Sequence, residues 1–210
     1  MRTLSVISIK RTATALLFAL SVSLTACDDP PRTSRLPADA TILAFGNSLT
    51  YGTGAPRDKS YPAVLQELTG RTVINAGVPG EVSAEGLRRL PALLEEHQPA
   101  LVVLIHGGND FLRRNDHGHT AANLEAMIEA ACKQGATVVL AGVPKPGIFL
   151  GSADFYKEVA NRHKLPIDEE ILPEILGDRK FKSDPIHPNA KGYRKLAEAV
   201  YNLLRNAGAI

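Results

Sequence analysis

The chain has 210 residues, 44% hydrophobic and 22% charged, with a formal net charge of +2 and no Trp. That balance excludes a disordered or collagen-like chain. The length suits one domain, able to bury about 70% of its unfolded surface without a disulfide or metal to hold it. The basic residues form no run, so nothing in the composition points to nucleic acid.

The N-terminus stands apart from the fold. Arg2, Lys10 and Arg11 precede an uncharged, mostly apolar run from Thr12 to Thr25. Fourteen residues are too few to cross a hydrocarbon core about 30 Å thick, but they fit the apolar region of a secretory signal. The run ends in Leu24-Thr25-Ala26-Cys27, which is similar to a bacterial lipobox, where the Cys becomes the first mature residue and carries lipid. The expected organisation is a lipoprotein signal peptide over 1–26, a polar, proline-containing tether over 27–37 and one domain over 38–210. Cleavage before Cys27 leaves 184 residues with a net charge of −1, so the lipid rather than surface charge would hold the protein to a membrane. The expected place is the bacterial cell envelope, facing the periplasm, and Asp28 after the Cys points to the inner membrane. An acylated Cys27 cannot pair with Cys132, the other cysteine. Cys132 falls in an apolar helical pattern and is expected to be a buried small hydrophobe.

Beyond the tether, strands and helices alternate. Thr41–Gly46 reads as a buried strand, followed by a helix with Ser60 as N-cap, apolar positions Tyr61, Val64, Leu65 and Leu68, and a stop at Gly70. Thr72–Asn75 is a second strand. A helix from Ser83 carries Leu87, Leu90 and Leu94, kinked or split at Pro91. Leu101–Ile105 is apolar on both faces, as in a parallel sheet covered on both sides. A helix from Thr120 to Gly135 follows, then a strand at Thr137–Ala141, a helix over Ala153–His163 and a short strand at Leu165–Asp168. The last helix starts near Asn189 with Tyr193, Leu196, Ala197, Val200 and Leu204 on one face. Such alternation implies βαβ units in one open parallel sheet, whose reactive residues gather beyond the C-terminal strand ends.

Four segments at or near such ends carry polar groups. Ser48 lies between Gly46 and the turn glycines Gly52 and Gly54, which would present its hydroxyl at the sheet edge. Alone, it reads more readily as a turn or cap residue. Asp184-Pro185-Ile186-His187 places a carboxylate and an imidazole where they can meet in a stiff turn, the second half of a Ser-His-Asp arrangement, or else a helix cap and a surface His. Asn109, after Gly107-Gly108, can aim its amide at a developing oxyanion, or close a Gly-Asn turn. Gly80, in Asn75-Ala76-Gly77-Val78-Pro79-Gly80, lets a backbone N–H approach a ligand, or is simply a loop residue.

Taken together and in this order, these segments resemble the blocks of the GDSL, or SGNH, hydrolases: Gly46-Asn47-Ser48-Leu49-Thr50, the Gly80 region, Gly107-Gly108-Asn109-Asp110 and Asp184-Pro185-Ile186-His187-Pro188. The resemblance spans Ala40 to Leu204 and is nearest to the bacterial periplasmic multifunctional esterases with acyl-CoA thioesterase, lysophospholipase and arylesterase activities. It implies a three-layer α/β/α, flavodoxin-like parallel sheet. It implies Ser48 as nucleophile, His187 as base and Asp184 as its orienting carboxylate. It implies an oxyanion hole of the Ser48 and Gly80 N–H groups with the Asn109 amide, and no metal or cofactor. Asn47 stands where the family has Asp, keeping the shape and losing a charge. The implied reaction is hydrolysis of a small-molecule carboxylic ester or thioester through an acyl-enzyme. The alternatives are a carbohydrate or peptidoglycan O-acetylesterase and a non-catalytic envelope binding protein of the same fold; the oligomeric state stays open. His117 and His119 lack a third metal ligand, and His106 stands either in the site or in strand-end packing. His97 and His163 suit helix C-termini. Arg113 and Arg114 either greet an anionic substrate or stay solvated.

Overall fold

The computed structural model describes residues 31–145, 147 and 150–210. The expected signal peptide over 1–26 and Cys27 lie outside the described residues. The apolar run at Leu101–Ile105 forms a strand, β3, buried along its whole length, and Ile42–Gly46 forms an equally buried strand, β1, beside it. Both are covered above and below, which is why neither alternates polar and apolar residues. In chain order the elements are β1 (Ile42–Gly46), α1 (Ser48–Tyr51), α2 (Tyr61–Thr69), β2 (Val73–Gly77), α3 (Ser83–His97), β3 (Leu101–Ile105), α4 (Gly108–Leu112) and α5 (His117–Lys133). They continue with β4 (Thr137–Ala141), α6 (Asp154–His163), β5 (Ile167–Asp168), α7 (Ile171–Gly177) and α8 (Ala190–Asn206).

All five strands are parallel, in the order β2-β1-β3-β4-β5. The chain steps from β1 to β2 in one direction and then crosses back over β1 to β3. With right-handed crossovers, that reversal puts α2 on one face and α3, α5 and α6 on the other. The packing agrees: α2 lies against α8, and α5 lies against both α3 and α6. The result is the expected three-layer α/β/α, flavodoxin-like arrangement, with a crevice where the strand order reverses between the carboxyl ends of β1 and β3.

Several local expectations are corrected. Ser60 sits at the N-cap position of α2, but its hydroxyl donates back to the Arg57 carbonyl at 2.8 Å and caps nothing. Helix α3 runs unbroken through Pro91, which lies on its exposed face, where water can serve the carbonyl that the missing N–H leaves free. Helix α5 begins at His117, three residues before Thr120, because Asp116 accepts from the His119 N–H at 2.8 Å. Cys132 is exposed on α5, not buried; partial burial still raises its thiol pKa. The short helices α1, α4 and α7 carry too few residues to show a helical period in the sequence.

Gly46 ends β1 because nothing larger fits. A Cβ there would stand 2.1 Å from the Ile105 carbonyl oxygen and 2.4 Å from Thr50 Oγ1. The first contact is backbone of the neighbouring strand and cannot swing aside. Gly46→Ala is therefore expected to cost about 1–3 kcal/mol, an overpacking penalty, seen as a lowered urea midpoint at unchanged slope.

Candidate active site

The turn after β1 sets the position of Ser48. Asn47, buried, caps α1 by accepting the Leu49 N–H at 3.1 Å. An Asp there would accept the same bond, so the local shape does not depend on the departure at this position. Tyr193 of α8, fully buried, donates its hydroxyl to the Thr53 carbonyl at 2.7 Å and holds the turn from below. Ser48 is the first residue of α1 and half-buried.

The segment before α8 supplies the partner groups. One Asp184 oxygen accepts the Ile186 and His187 N–H groups, both at 2.9 Å, which folds the segment back on itself. The other oxygen lies 2.8 Å from His187 Nδ1. A carboxylate only accepts, so Nδ1 carries the proton and Nε2 is left as the acceptor. Nε2 lies 3.0 Å from Ser48 Oγ, across 139 residues of chain. Burial pushes the Asp184 carboxyl pKa up, but the two backbone N–H groups and the imidazole outweigh it and hold the group below its ordinary value. The segment is pinned in turn: Ser183 N–H donates to the His187 carbonyl at 2.9 Å, and Asn189 caps α8 through Lys191 and Gly192.

Beside Ser48 and His187 opens a cleft of about 260 Å³. Its apolar wall includes Leu49, Leu112, Val143, Leu150, Leu176 and Ile186, and Asn109 lines it from β3's side. Leu112, Leu150 and Ile186 are among the few large apolar side chains left exposed, at 49%, 38% and 42%. Lys145 stands at the same cleft.

The oxyanion-hole residues expected from the sequence come from three strand ends. The Ser48 and Gly80 amides donate to no group among the described residues. Asn109 uses one amide hydrogen on the Glu81 carbonyl at 2.8 Å and keeps a second. Gly107, with φ +97°, makes the turn out of β3 that delivers Asn109; Gly108 has no such backbone requirement. Gly80 does not line the cleft, and its loop is tied to α4 by Arg113, which donates to the Gly80 carbonyl at 2.8 Å. Arg113 thus has a local structural partner, while Arg114 is exposed. His117 and His119 are also exposed, with His117 edge-on to Phe111, and no group of three potential metal ligands occurs among the described residues. His97 and His163 end α3 and α6 as expected.

Two buried carboxylates take roles that the sequence does not suggest, Asp110 within a motif block and Glu81 outside every block. Asp110 accepts both the Ser83 N–H and the Ser83 hydroxyl at 2.8 Å, anchoring the start of α3 to α4. Glu81 accepts two bonds from Arg89, at 2.8 and 2.7 Å, and lies 3.2 Å from Nε2 of the fully buried His106. Gly107 N–H donates to His106 Nδ1 at 2.9 Å, so Nε2 is the protonated nitrogen and donates to Glu81. His106 therefore belongs to strand-end packing and not to the cleft. Burial pushes the Glu81 carboxyl up, yet its hydrogen bonds from Arg89 and His106 and the charge of Arg89 bring it down from 4.5 to about 2.

A profile of the GDSL-like lipase/acylhydrolase family matches residues 44–195. The chain is 33% identical over 179 residues to the esterase TesA of Pseudomonas aeruginosa, an alignment covering 80% of this chain and 89% of that one. It is 30% identical over 165 residues to the thioesterase 1/protease 1/lysophospholipase L1 of Escherichia coli K12, covering 75% and 79%. A crystal structure of TesA superposes with a TM-score of 0.72 at 32% identity, over 80% of this chain and 99% of that one. No helix among the described residues is long and apolar enough to cross a membrane.

Glu81 should show in the acid stability. A carboxyl depressed in the folded state stabilises the fold above its unfolded pKa and loses that contribution as pH falls toward the folded value. Urea unfolding is expected to weaken between pH 4.5 and about 2, and Glu81→Gln to show a shallower decline over the same window. Equal slopes in the two proteins would assign the acid sensitivity to other carboxylates.

Proposed function

The chain belongs to the GDSL-like lipase/acylhydrolase family of ester-bond hydrolases, and on that footing we propose that it is a serine esterase acting through an acyl-enzyme on Ser48. The observation that carries this reading is the relay of 3.0 Å from Ser48 Oγ to His187 Nε2 and 2.8 Å from Nδ1 to Asp184, standing at the mouth of an apolar cleft.

His187 Nε2 takes the Ser48 proton as Oγ bonds to the carbonyl carbon. The carbonyl electrons move to oxygen, where the Ser48 and Gly80 N–H groups and the free Asn109 amide hydrogen receive them. The tetrahedral intermediate collapses, the bond to the alcohol or thiol oxygen or sulfur breaks, and His187 returns the proton to that leaving group. Water then attacks the acyl-enzyme, giving its proton to His187. Collapse releases the carboxylic acid and restores the Ser48 hydroxyl. Asp184 stays ionised throughout and stabilises the imidazolium.

Leu112, Leu150, Leu176 and Ile186 give the acyl group an apolar wall. This lining favours carboxylic esters and thioesters with an alkyl or aryl acyl chain over bare acetyl esters of carbohydrate. The lipobox-like end at Cys27 supports a lipid-anchored enzyme of the bacterial envelope, facing the periplasm.

The test is turnover of p-nitrophenyl esters of rising chain length, with and without a serine-reactive organophosphonate. Ser48→Ala and His187→Ala should each lower kcat by roughly 10⁴–10⁶-fold, and the double variant should be little worse. Near-normal turnover by folded Ser48→Ala overturns the mechanism. Asn109→Ala should lower kcat by roughly 10²–10³-fold with KM little changed, because the amide acts on charge that develops only in the transition state. A rise in KM alone would make Asn109 a substrate-positioning residue. For the anchor, mass spectrometry should find an acylated N-terminal Cys27 in membrane fractions, and Cys27→Ala should abolish it.

A further inference from the structure

An oxyanion hole built from three loops works only if the loops hold one another in register. Two of the three proposed donors are Gly80, on the β2–α3 connection, and Asn109, in the first turn of α4, and one residue joins them. The Glu81 backbone follows Gly80 directly, and its carbonyl accepts the Asn109 amide at 2.8 Å. Its carboxylate takes two bonds from Arg89, on the second turn of α3, and faces His106 Nε2 at 3.2 Å, at the end of β3. Arg89 reaches further, to the Ala76 carbonyl in β2 at 3.0 Å, and lies over the Phe45 ring of β1 at 4.5 Å. One 6%-exposed carboxylate thus connects the ends of β2 and β3 and, through Arg89, the end of β1.

From this geometry we infer that Glu81 is a positioning residue of the oxyanion hole: its carboxylate, held by Arg89 and His106, fixes the carbonyl that aims the Asn109 amide. Glu81 touches no reacting atom. The inference rests on the hole assigned above to Ser48, Gly80 and Asn109. Three N–H donors converge on Glu81, two from Arg89 and one from His106. A Gln in its place keeps the size but offers one acceptor oxygen, and its NH₂ must face an Arg89 or His106 donor. The loop then has to move to relieve a donor-to-donor contact.

The experiment measures kcat and KM for p-nitrophenyl acetate with Glu81→Gln, Asn109→Ala and the double variant, at a temperature where circular dichroism shows each folded. Displacement of one hole donor by a fraction of an ångström to about 1 Å is expected to lower kcat by about 10- to 100-fold, with KM little changed. Because Glu81 acts through Asn109, adding Glu81→Gln to Asn109→Ala should cost far less than Glu81→Gln alone. A purely structural role would lower the melting temperature but leave kcat of the folded protein and this coupling unmoved. Should Glu81→Gln fold poorly, Arg89→Ala removes the half-exposed partner instead and should give the same kcat signature and the same coupling. Unchanged kcat in the folded variants, or losses that multiply independently of Asn109, overturns the positioning role while leaving the hole intact. Unchanged kcat in Asn109→Ala itself overturns the hole and the positioning role together.

Discussion

The site depends on one topological constraint: five parallel strands bring every strand end to the same edge, and the order reverses at β1. Residues at 48, 109 and 187, scattered over most of the chain, can then share one crevice. The hydrogen bond between Ser48 and His187 closes 139 residues of chain. A contact of that span persists only where the fold fixes both ends, the sheet holding Ser48 after β1 and the hydrogen-bonded turn before α8 holding His187, because no local preference brings such distant residues together. The glycine at the end of β1 is part of the same constraint. It lets the helix carrying Ser48 start against the Ile105 carbonyl of the adjacent strand.

Around this edge, loop order comes from carboxylates used as acceptors for backbone and side-chain donors. Asp184 gathers two N–H groups and an imidazole, Asp110 gathers Ser83 twice, and Glu81 gathers Arg89 and His106. Each joins segments distant in sequence or folds a loop tightly enough to aim a side chain. Buried or half-buried carboxylates are expensive unless every lone pair facing protein is met by a donor, and a fully met one holds its donors in a single arrangement. The proposed chemistry draws on that rigidity, because a hole that must reorganise during reaction stabilises charge less well than one already formed.

The cleft has a different character. Leu112 and Leu150 approach it from the α4 and β4–α6 connections and Ile186 from the loop that carries His187, all partly exposed. Large apolar groups left uncovered on an otherwise well-buried domain are the usual sign of an apolar ligand. Acid–base machinery and acyl wall meet at His187, whose neighbour in the chain, Ile186, belongs to the wall.

The amino-acid sequence by itself determined the architecture and the chemical candidates. β1 and β3 were legible because they are buried on both faces and so read as unbroken apolar runs, and α8 because its apolar positions recur at helical spacing. Ser48, Asn109, Asp184 and His187 were legible because their residue types and order match one family of hydrolases. What only the tertiary structure decided depends on approach between distant segments. Glu81 carries no local pattern that separates it from a surface glutamate, and its role exists only once Arg89, His106 and Asn109 close around it. Cys132 was misread for a related reason: periodicity places a residue on a helix, but the neighbouring elements decide which face is covered. His106 likewise could be assigned to packing or to the site only after Gly107 and Glu81 had fixed both of its nitrogens. Strands and motifs are written in neighbouring residues, whereas burial, charge and donor direction are set by whatever the fold brings alongside.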